Sequence, residues 1–297
     1  MSIPEPGRSE VLEDGLRRVL APNPGPMTRW GTNTFILGEG RVAIVDPGPD
    51  HEGHLAAILA AVAGETVSHI LVTHAHLDHS PLARRLAERT GAPVLGFGPP
   101  EAGRSPTMQA LAHSGHAGGG EGVDADFAPD ILLRHTDAVA GDGWSITALH
   151  TPGHFAGHLS FVFGTSVISG DHVMDWSSSL VSPPDGDLTA FMRTSRNLRD
   201  AGYRKLYPGH GGAIDDPAAR LNWLIAHRQA REAEILNAMA PMPRTIATIT
   251  SEVYTDIPAA MLPAAERNVF AHLVDLEGRG LVKATPRLAA TAAFSLT

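Results

Sequence analysis

Apolar and polar positions change period repeatedly along the N-terminal part of the chain. Thr34–Leu37 and Val42–Val45 are short β-rich runs separated by Gly38-Glu39-Gly40, which predicts a hairpin stopped by Pro47-Gly48. "HLAAILAAVAG" has helical spacing and composition, with Gly64 as its C-cap. "VSHILVTH" reads as a short apolar strand. "PLARRLAERTG" predicts the next helix, with Ser80 as N-cap, Pro81 at the first position and Gly91 at the end. "APVLGF" is again a strand. This order of elements predicts an α/β architecture, and its polar motif lies between a strand end and a helix start, where such proteins place their ligands.

Gly98 to Pro129 is rich in Gly, Pro, Ala and His, and reads as a flexible surface loop, with a lid over a site as the other reading. Strand signals resume with "ILLRH", "WSITALH", "HLSFVFG" and "TSVISGD". Two helices follow, "LTAFMRTSRNLRDAG" and one from about Pro217 to Ala240, where Pro241 and Pro243 break the pattern. From Thr245 the chain predicts short helices and a small strand pair, with a turn at Glu277-Gly278-Arg279-Gly280. The expected division is residues 1–225 and 226–297.

Composition narrows the function classes. A length of 297 residues fits two domains, and 43% hydrophobic residues support a sizeable core. The net charge of −9 excludes a global basic field for nucleic acid. There is no cysteine, so a zinc site must use His, Asp and Glu. No apolar run reaches the length of roughly 18 residues that a spanning helix needs, and "MSIPEPGRSEVLEDG" lacks the apolar core of a signal peptide. The expectation is a soluble cytoplasmic protein without a membrane partner.

The chemistry concentrates in "ILVTHAHLDHS". His74, His76, Asp78 and His79 place four ligand-type residues within six positions, directly after an apolar strand. Residues i and i+2 of an extended chain face the same way, so His74 and His76 can reach one point together. Asp78 and His79 lie past the turn and can aim at a second. Imidazole and carboxylate suit divalent zinc, iron or manganese. Further candidates follow other β-type runs: His150 and His154 in "HTPGH", Asp171 and His172 in "SGDH", and His210 in "YPGH". Each of these short motifs contains a glycine, which lets backbone pass close to a ligand.

The set "THAHLDH", "TPGH", "SGD" and "PGH" resembles the two-metal hydrolases of the metallo-β-lactamase superfamily, in order and spacing, along roughly residues 30–215. That resemblance implies a four-layer αββα sandwich. It implies one metal on His74, His76 and His154, a second on Asp78, His79 and His210, and Asp171 bridging them. The expected cofactors are two divalent ions, zinc first, with iron or manganese as alternatives. A hydroxide shared by the ions would attack an ester, thioester or phosphodiester, and Asp78 would orient it or accept its proton. Many true β-lactamases of the superfamily carry a cysteine at the second metal, and this chain has none. Glyoxalase II enzymes share the metal set but end in a basic helical domain that this tail does not match. The tail "VFAHLVDLEGRGLVKA" instead resembles the winged-helix domain of the lactamase-like protein 2 branch, which includes endoribonucleases.

Three substrate readings follow: an ester or thioester of a small molecule, single-stranded RNA, and a hydroxyacylglutathione. A di-iron relative without hydrolytic activity is a further class. From Ala226 to Thr297 seven basic residues face seven acidic ones. This favours a structural or dimer-contact role for the tail over nucleic-acid reading, with a homodimer allowed for. Asp46, after the strand in "VDPG", can orient a metal-bound histidine or cap its turn. His150 reads as a support for His154 or a simple strand end. His172 lines the pocket or points away, and His158 is expected to be buried near the site. His51 and His54 are expected on the surface. His113 and His116 lie in the glycine-rich loop. Ser177, Ser178 and Ser179 read as an ordinary polar loop, with contact to a substrate anion as the other reading. Arg29 and Asn33 carry no site argument.

Overall fold

The protein is described here by a computed structural model covering residues 3–239 and 242–297. The expected helix end at Ala240 and the break at Pro241 lie outside the described residues, as do the first two positions of the N-terminal stretch. The chain opens with an antiparallel hairpin, β1 (Ser9–Glu13) and β2 (Leu16–Leu20), and continues through β3 (Asn33–Leu37) and β4 (Arg41–Val45). Helix α1 (Glu52–Ala61) returns the chain to β5 (Thr66–Leu71), parallel to β4. Helix α2 (Leu82–Thr90) leads to β6 (Val94–Gly96), and α3 (Pro106–Ser114) to β7 (Ile131–Leu132). These seven strands form one sheet in sequence order.

The second sheet is a meander of β8 (Ala138–Gly141), β9 (Trp144–His150), β10 (Leu159–Phe163) and β11 (Ser166–Gly170). Helix α4 (Leu188–Asp200) then crosses over to β12 (Lys205–Pro208), which pairs parallel with β11. Strand alternation explains the layers. Val42 and Ile44 of β4 join the core under α1 and α2, while Ala43 and Val45 face the other sheet through Trp144, Phe161 and Ile168. Val167 and Leu206 on the far side of the second sheet pack on Phe191 of α4 and on Leu221 and Leu224 of α5 (Pro217–Ala238). The result is the expected four-layer αββα sandwich.

Helix α5 crosses residue 225 unbroken. Its N-terminal half joins the sandwich, and its Ile235 and Met239, the residue just past its end, join a separate core in the tail. That core includes α6 (Ile246–Val253), α7 (Leu262–Gly278) and the strands β13 (Arg244–Thr245), β14 (Val282–Thr285) and β15 (Ala293–Leu296). The expected strand pair is thus a three-stranded sheet ordered β13-β15-β14.

The sequence reading is corrected in several places. The glycine-rich segment is not a free surface loop: Met108 and Leu111 of α3, with Ala117 after it, are buried in the tail core. Its own signals were present, in the Ser105 cap, Pro106 and Gly115. Helix α1 ends at Ala61 with Val62 as its C-cap, before Gly64, and α2 has Pro81 as its N-cap while the Ser80 hydroxyl donates to Asp124 Oδ2 at 2.6 Å.

His51 is exposed and caps α1, but His54 is 1% exposed, with Nε2 2.8 Å from Thr34 Oγ1. Burial, with the neighbouring His51, pushes the His54 pKa down to about 4. The folded state therefore refuses a proton that the unfolded chain takes up below its ordinary value of 6.5. The stability so contributed is complete above that value and is lost as pH falls toward 4. Between pH 7 and pH 5 this one group accounts for about 2 kcal/mol. Urea melts of wild type and His54→Gln at both pH values check this: the variant's pH dependence should be shallower by that amount.

Candidate metal centre

The ligand-type residues that gather at the site stand beyond the C-terminal ends of strands. Asp46 follows β4, His74 follows β5, Asp171 follows β11 and His210 follows β12. Because β4 runs parallel to β5, and β11 to β12, these ends open on one edge of the sandwich.

Three groupings have all their ligand atoms within 4.8 Å of one another: His74, His76 and His154; His74, His79 and Asp171; and Asp78, His79 and His210. His76 Nδ1 lies 2.9 Å from His74 Nε2 and 3.1 Å from His154 Nε2. His79 Nε2 and His210 Nε2 are 3.3 Å apart. Asp171 stands between the groupings, with Oδ2 3.3 Å from His210 Nε2 and 3.8 Å from His154 Nε2, and Oδ1 3.4 Å from His79 Nε2. Asp78 Oδ2 is 3.1 Å from His210 Nε2.

The outward nitrogens decide what the inward ones are. His154 Nδ1 donates to Leu180 O at 2.7 Å, and His210 Nδ1 to Gly31 O at 3.1 Å. His79 Nδ1 donates to Asp46 Oδ2 at 2.9 Å. The Thr73 hydroxyl donates to Asp46 Oδ2 at 2.7 Å, so it accepts from His74 Nδ1 at 2.9 Å. In its neutral form each of these rings therefore turns a lone pair inward. Lone pairs converging at such distances repel unless a cation sits among them, and the Asp171 Oδ1 atom is buried without a hydrogen-bond partner. The donor set fits divalent metal ions.

Charge tells the same story. Burial, with His79 and His76 beside His74 and with His154 beside His76, pushes these two rings down, His76 to about 3. Burial alone would also lower His79 and His210. The Asp171 carboxylate, with Asp78 beside it, instead raises His210 to about 9 and His79 well above its ordinary value. Burial pushes Asp171 up, but His210 and His79 outweigh it and hold the carboxyl well below the usual range. This half of the centre demands positive charge, from protons or from a cation.

Of the two readings of Asp46, its contacts fit the one that orients a histidine. It is fully buried and also accepts from Thr73 N at 2.7 Å. His172 is buried but turns away from the cluster: its Nε2 meets Ser195 Oγ at 3.1 Å and its ring lies on Phe191. His150 does not reach the cluster either. Its Nε2 donates to Ala156 O at 2.8 Å and its ring stacks on Phe97, because the turn after β9 carries only His154 inward. His158 is buried as expected, and its Nε2 accepts from the Asp171 backbone N–H at 3.1 Å. His113 and His116 are exposed and lie outside the groupings. Ser179 is buried, its hydroxyl donating to His172 O, so the three-serine loop is not simply solvated.

Apart from the glycine before His210, other supports carried no signal in the sequence. Asn33 donates from Nδ2 to Pro208 O at 2.9 Å and Gly211 O at 3.1 Å, clamping the turn that carries His210. Gly209 in that turn has no room for a side chain, since a Cβ would collide with Asp171 Oδ1 and His79 Cε1. Arg29 pairs with Asp175 at 2.5 Å beside the same turn.

The chain belongs to the metallo-beta-lactamase superfamily: residues 27–210 match that family. Residues 245–290 match the beta-lactamase associated winged helix domain. The chain is 28% identical over 289 residues to the beta-lactamase-like protein 2 homolog of Drosophila melanogaster, covering 92% of this chain and 91% of that one. It is 29% identical over 257 residues to an atrochrysone carboxyl ACP thioesterase of Aspergillus fumigatus, covering 84% and 72% respectively. A crystal structure of a metallo-beta-lactamase family protein from Thermus thermophilus superposes with a TM-score of 0.77 at 26% identity, covering 97% of this chain and 100% of that one. Family and fold together make this protein a metal-dependent hydrolase. Among the described residues, no helix is long and apolar enough to cross a membrane.

Proposed function

We propose that the protein hydrolyses an acyl ester or thioester at a centre of two divalent cations. One would be held by His74, His76 and His154, the other by Asp78, His79 and His210, with Asp171 shared between them. The observation that carries this reading is the set of inward lone pairs, each fixed by a hydrogen bond on the far side of its ring. Two such ions, zinc first by donor chemistry with iron or manganese as alternatives, supply hydroxide at neutral pH and polarise the bond to be cut. The two carboxylates divide the remaining work. Asp78 keeps 29% of its side chain exposed and can receive a proton from water at the mouth, whereas Asp171 keeps 7% and stays fixed inside.

Leu77, between His76 and Asp78, is 52% exposed and would be the apolar contact for an acyl group rather than a polyanion. The winged-helix domain favours RNA as a second reading, yet its cations are mostly spent inside the protein. Arg228 is buried, Arg267 binds Ser182 and Ala117, and Arg231, Arg244 and Arg279 pair with carboxylates. Among the described residues that leaves Lys283 and Arg287 of the seven.

A panel of acyl thioesters, lactoylglutathione, a lactone, a chromogenic β-lactam and single-stranded RNA separates these readings. Thioester or ester turnover is expected, and RNA cleavage without it would overturn the acyl assignment. Leu77→Asp should lower kcat/KM for a long-chain acyl thioester about tenfold, since a few buried methylenes are worth about 1–3 kcal/mol. An acetyl thioester should be little affected. An equal loss on both would remove Leu77 from acyl recognition.

A further inference from the structure

The segment from Asp171 to Asp187 has no helix or strand of its own, yet it supplies the carbonyl that fixes His154. Its backbone is held from outside. Arg220 of α5 donates to Met174 O and Ser177 O, both at 2.6 Å. Arg228, also on α5, donates to Ser179 O. Asn268 of α7 accepts the Val181 backbone N–H at 3.2 Å, and Arg267 donates to Ser182 Oγ at 2.8 Å. Leu180, whose carbonyl receives His154 Nδ1–H, lies between the Arg228 and Asn268 anchors.

The two anchors are themselves joined. Arg228 Nη1 donates to the same Asn268 Oδ1 at 3.1 Å. Arg228 is 2% exposed, and no carboxylate pairs with it among the described residues. A buried guanidinium in that situation is stable only where carbonyl oxygens surround it. Asn268 Oδ1 is thus one acceptor shared by a buried cation from the α5 junction and by the backbone of the segment.

We propose that Asn268, with Arg228, is a positioning residue through which the C-terminal domain sets the orientation of His154. The chain of contacts runs from α7 through Asn268 Oδ1 to Val181 N–H, across one peptide to Leu180 O, and on to His154 Nδ1. It keeps the proton on Nδ1 and the Nε2 lone pair aimed at His76 Nδ1. The winged-helix domain then acts as a brace for the metal centre. This inference rests on His154 being a metal ligand.

The test is metal affinity, titrated against a chromophoric chelator on full-length protein. Hydrogen-bond partners that orient a ligating histidine are worth about 10–100-fold in metal affinity. Asn268→Leu removes the acceptor at similar volume and should weaken one of two zinc ions, the one held with His154, about tenfold while leaving the other unchanged. Asn268→Asp keeps the acceptor facing Arg228 and should retain wild-type affinity. If Asn268→Leu does not fold, Asn268→Ala carries the same comparison. His154→Ala separates the two levels of the claim. If it loses no ion, the ligand assignment fails. If it loses one ion but the folded Asn268 variant binds both as tightly as wild type, the positioning role alone is overturned. Uniform weakening of both ions, with a matching fall in melting temperature, would likewise overturn it in favour of a merely structural contact.

Discussion

Asp171→Ala should lose metal and activity together, with kcat/KM falling by about 10³-fold or more, equivalent to roughly 4 kcal/mol of transition-state stabilisation. Asp171 alone offers one carboxylate to both halves of the centre, through His154 on one side and His79 and His210 on the other. Its backbone N–H is held by His158, so the variant keeps the local chain path. Removing the carboxylate takes away the charge that most strongly raises His79 and His210. Elemental analysis and turnover of the purified variant check the result. Full metal content with lost activity would instead give Asp171 a purely chemical role.

Asp46→Asn should have the next largest effect. The residue sits at φ 51°, a left-handed conformation that asparagine also tolerates, so the substitution leaves the turn intact. What changes is the proton on His79. The carboxylate now accepts His79 Nδ1–H and the Thr73 hydroxyl on one oxygen and Thr73 N–H on the other. An amide nitrogen in place of Oδ2 faces His79 with a donor, and the ring answers by moving its proton to Nε2, where the cation would bind. Metal affinity should fall by about 10–100-fold, while stability falls by only about 1–3 kcal/mol. Chelator titration and urea melts measure the two separately. Unchanged affinity would show that Asp46 merely closes its turn.

The ligand-type residues were legible in the sequence because each follows an apolar strand at a tight turn, and strand ends gather on one edge of a sandwich. The same local signals gave an α/β order of elements, whereas the four layers came only from the resemblance to the metallo-β-lactamase superfamily. What stayed hidden depends on contacts between distant parts of the chain. Asn33 clamps a turn 175 residues away, and no periodicity marks it. Arg228 and Asn268 read as ordinary helix residues until the irregular segment between them is placed. His54 looked like a surface residue at a helix start, but the hairpin that contains Thr34 covers it. Helix α3 was masked by surrounding glycines, although its buried face docks on the tail core. His150 and His172 illustrate the converse: they share turns with His154 and Asp171, yet their rings leave on the other side.

The most direct test of the central claim is the number and kind of metal ions per chain, measured by elemental analysis of purified protein. Wild type should hold two divalent ions, His154→Ala and His210→Ala one each, and a His76→Ala/Asp171→Ala double variant none. Retention of two ions by that double variant would contradict the two-metal centre.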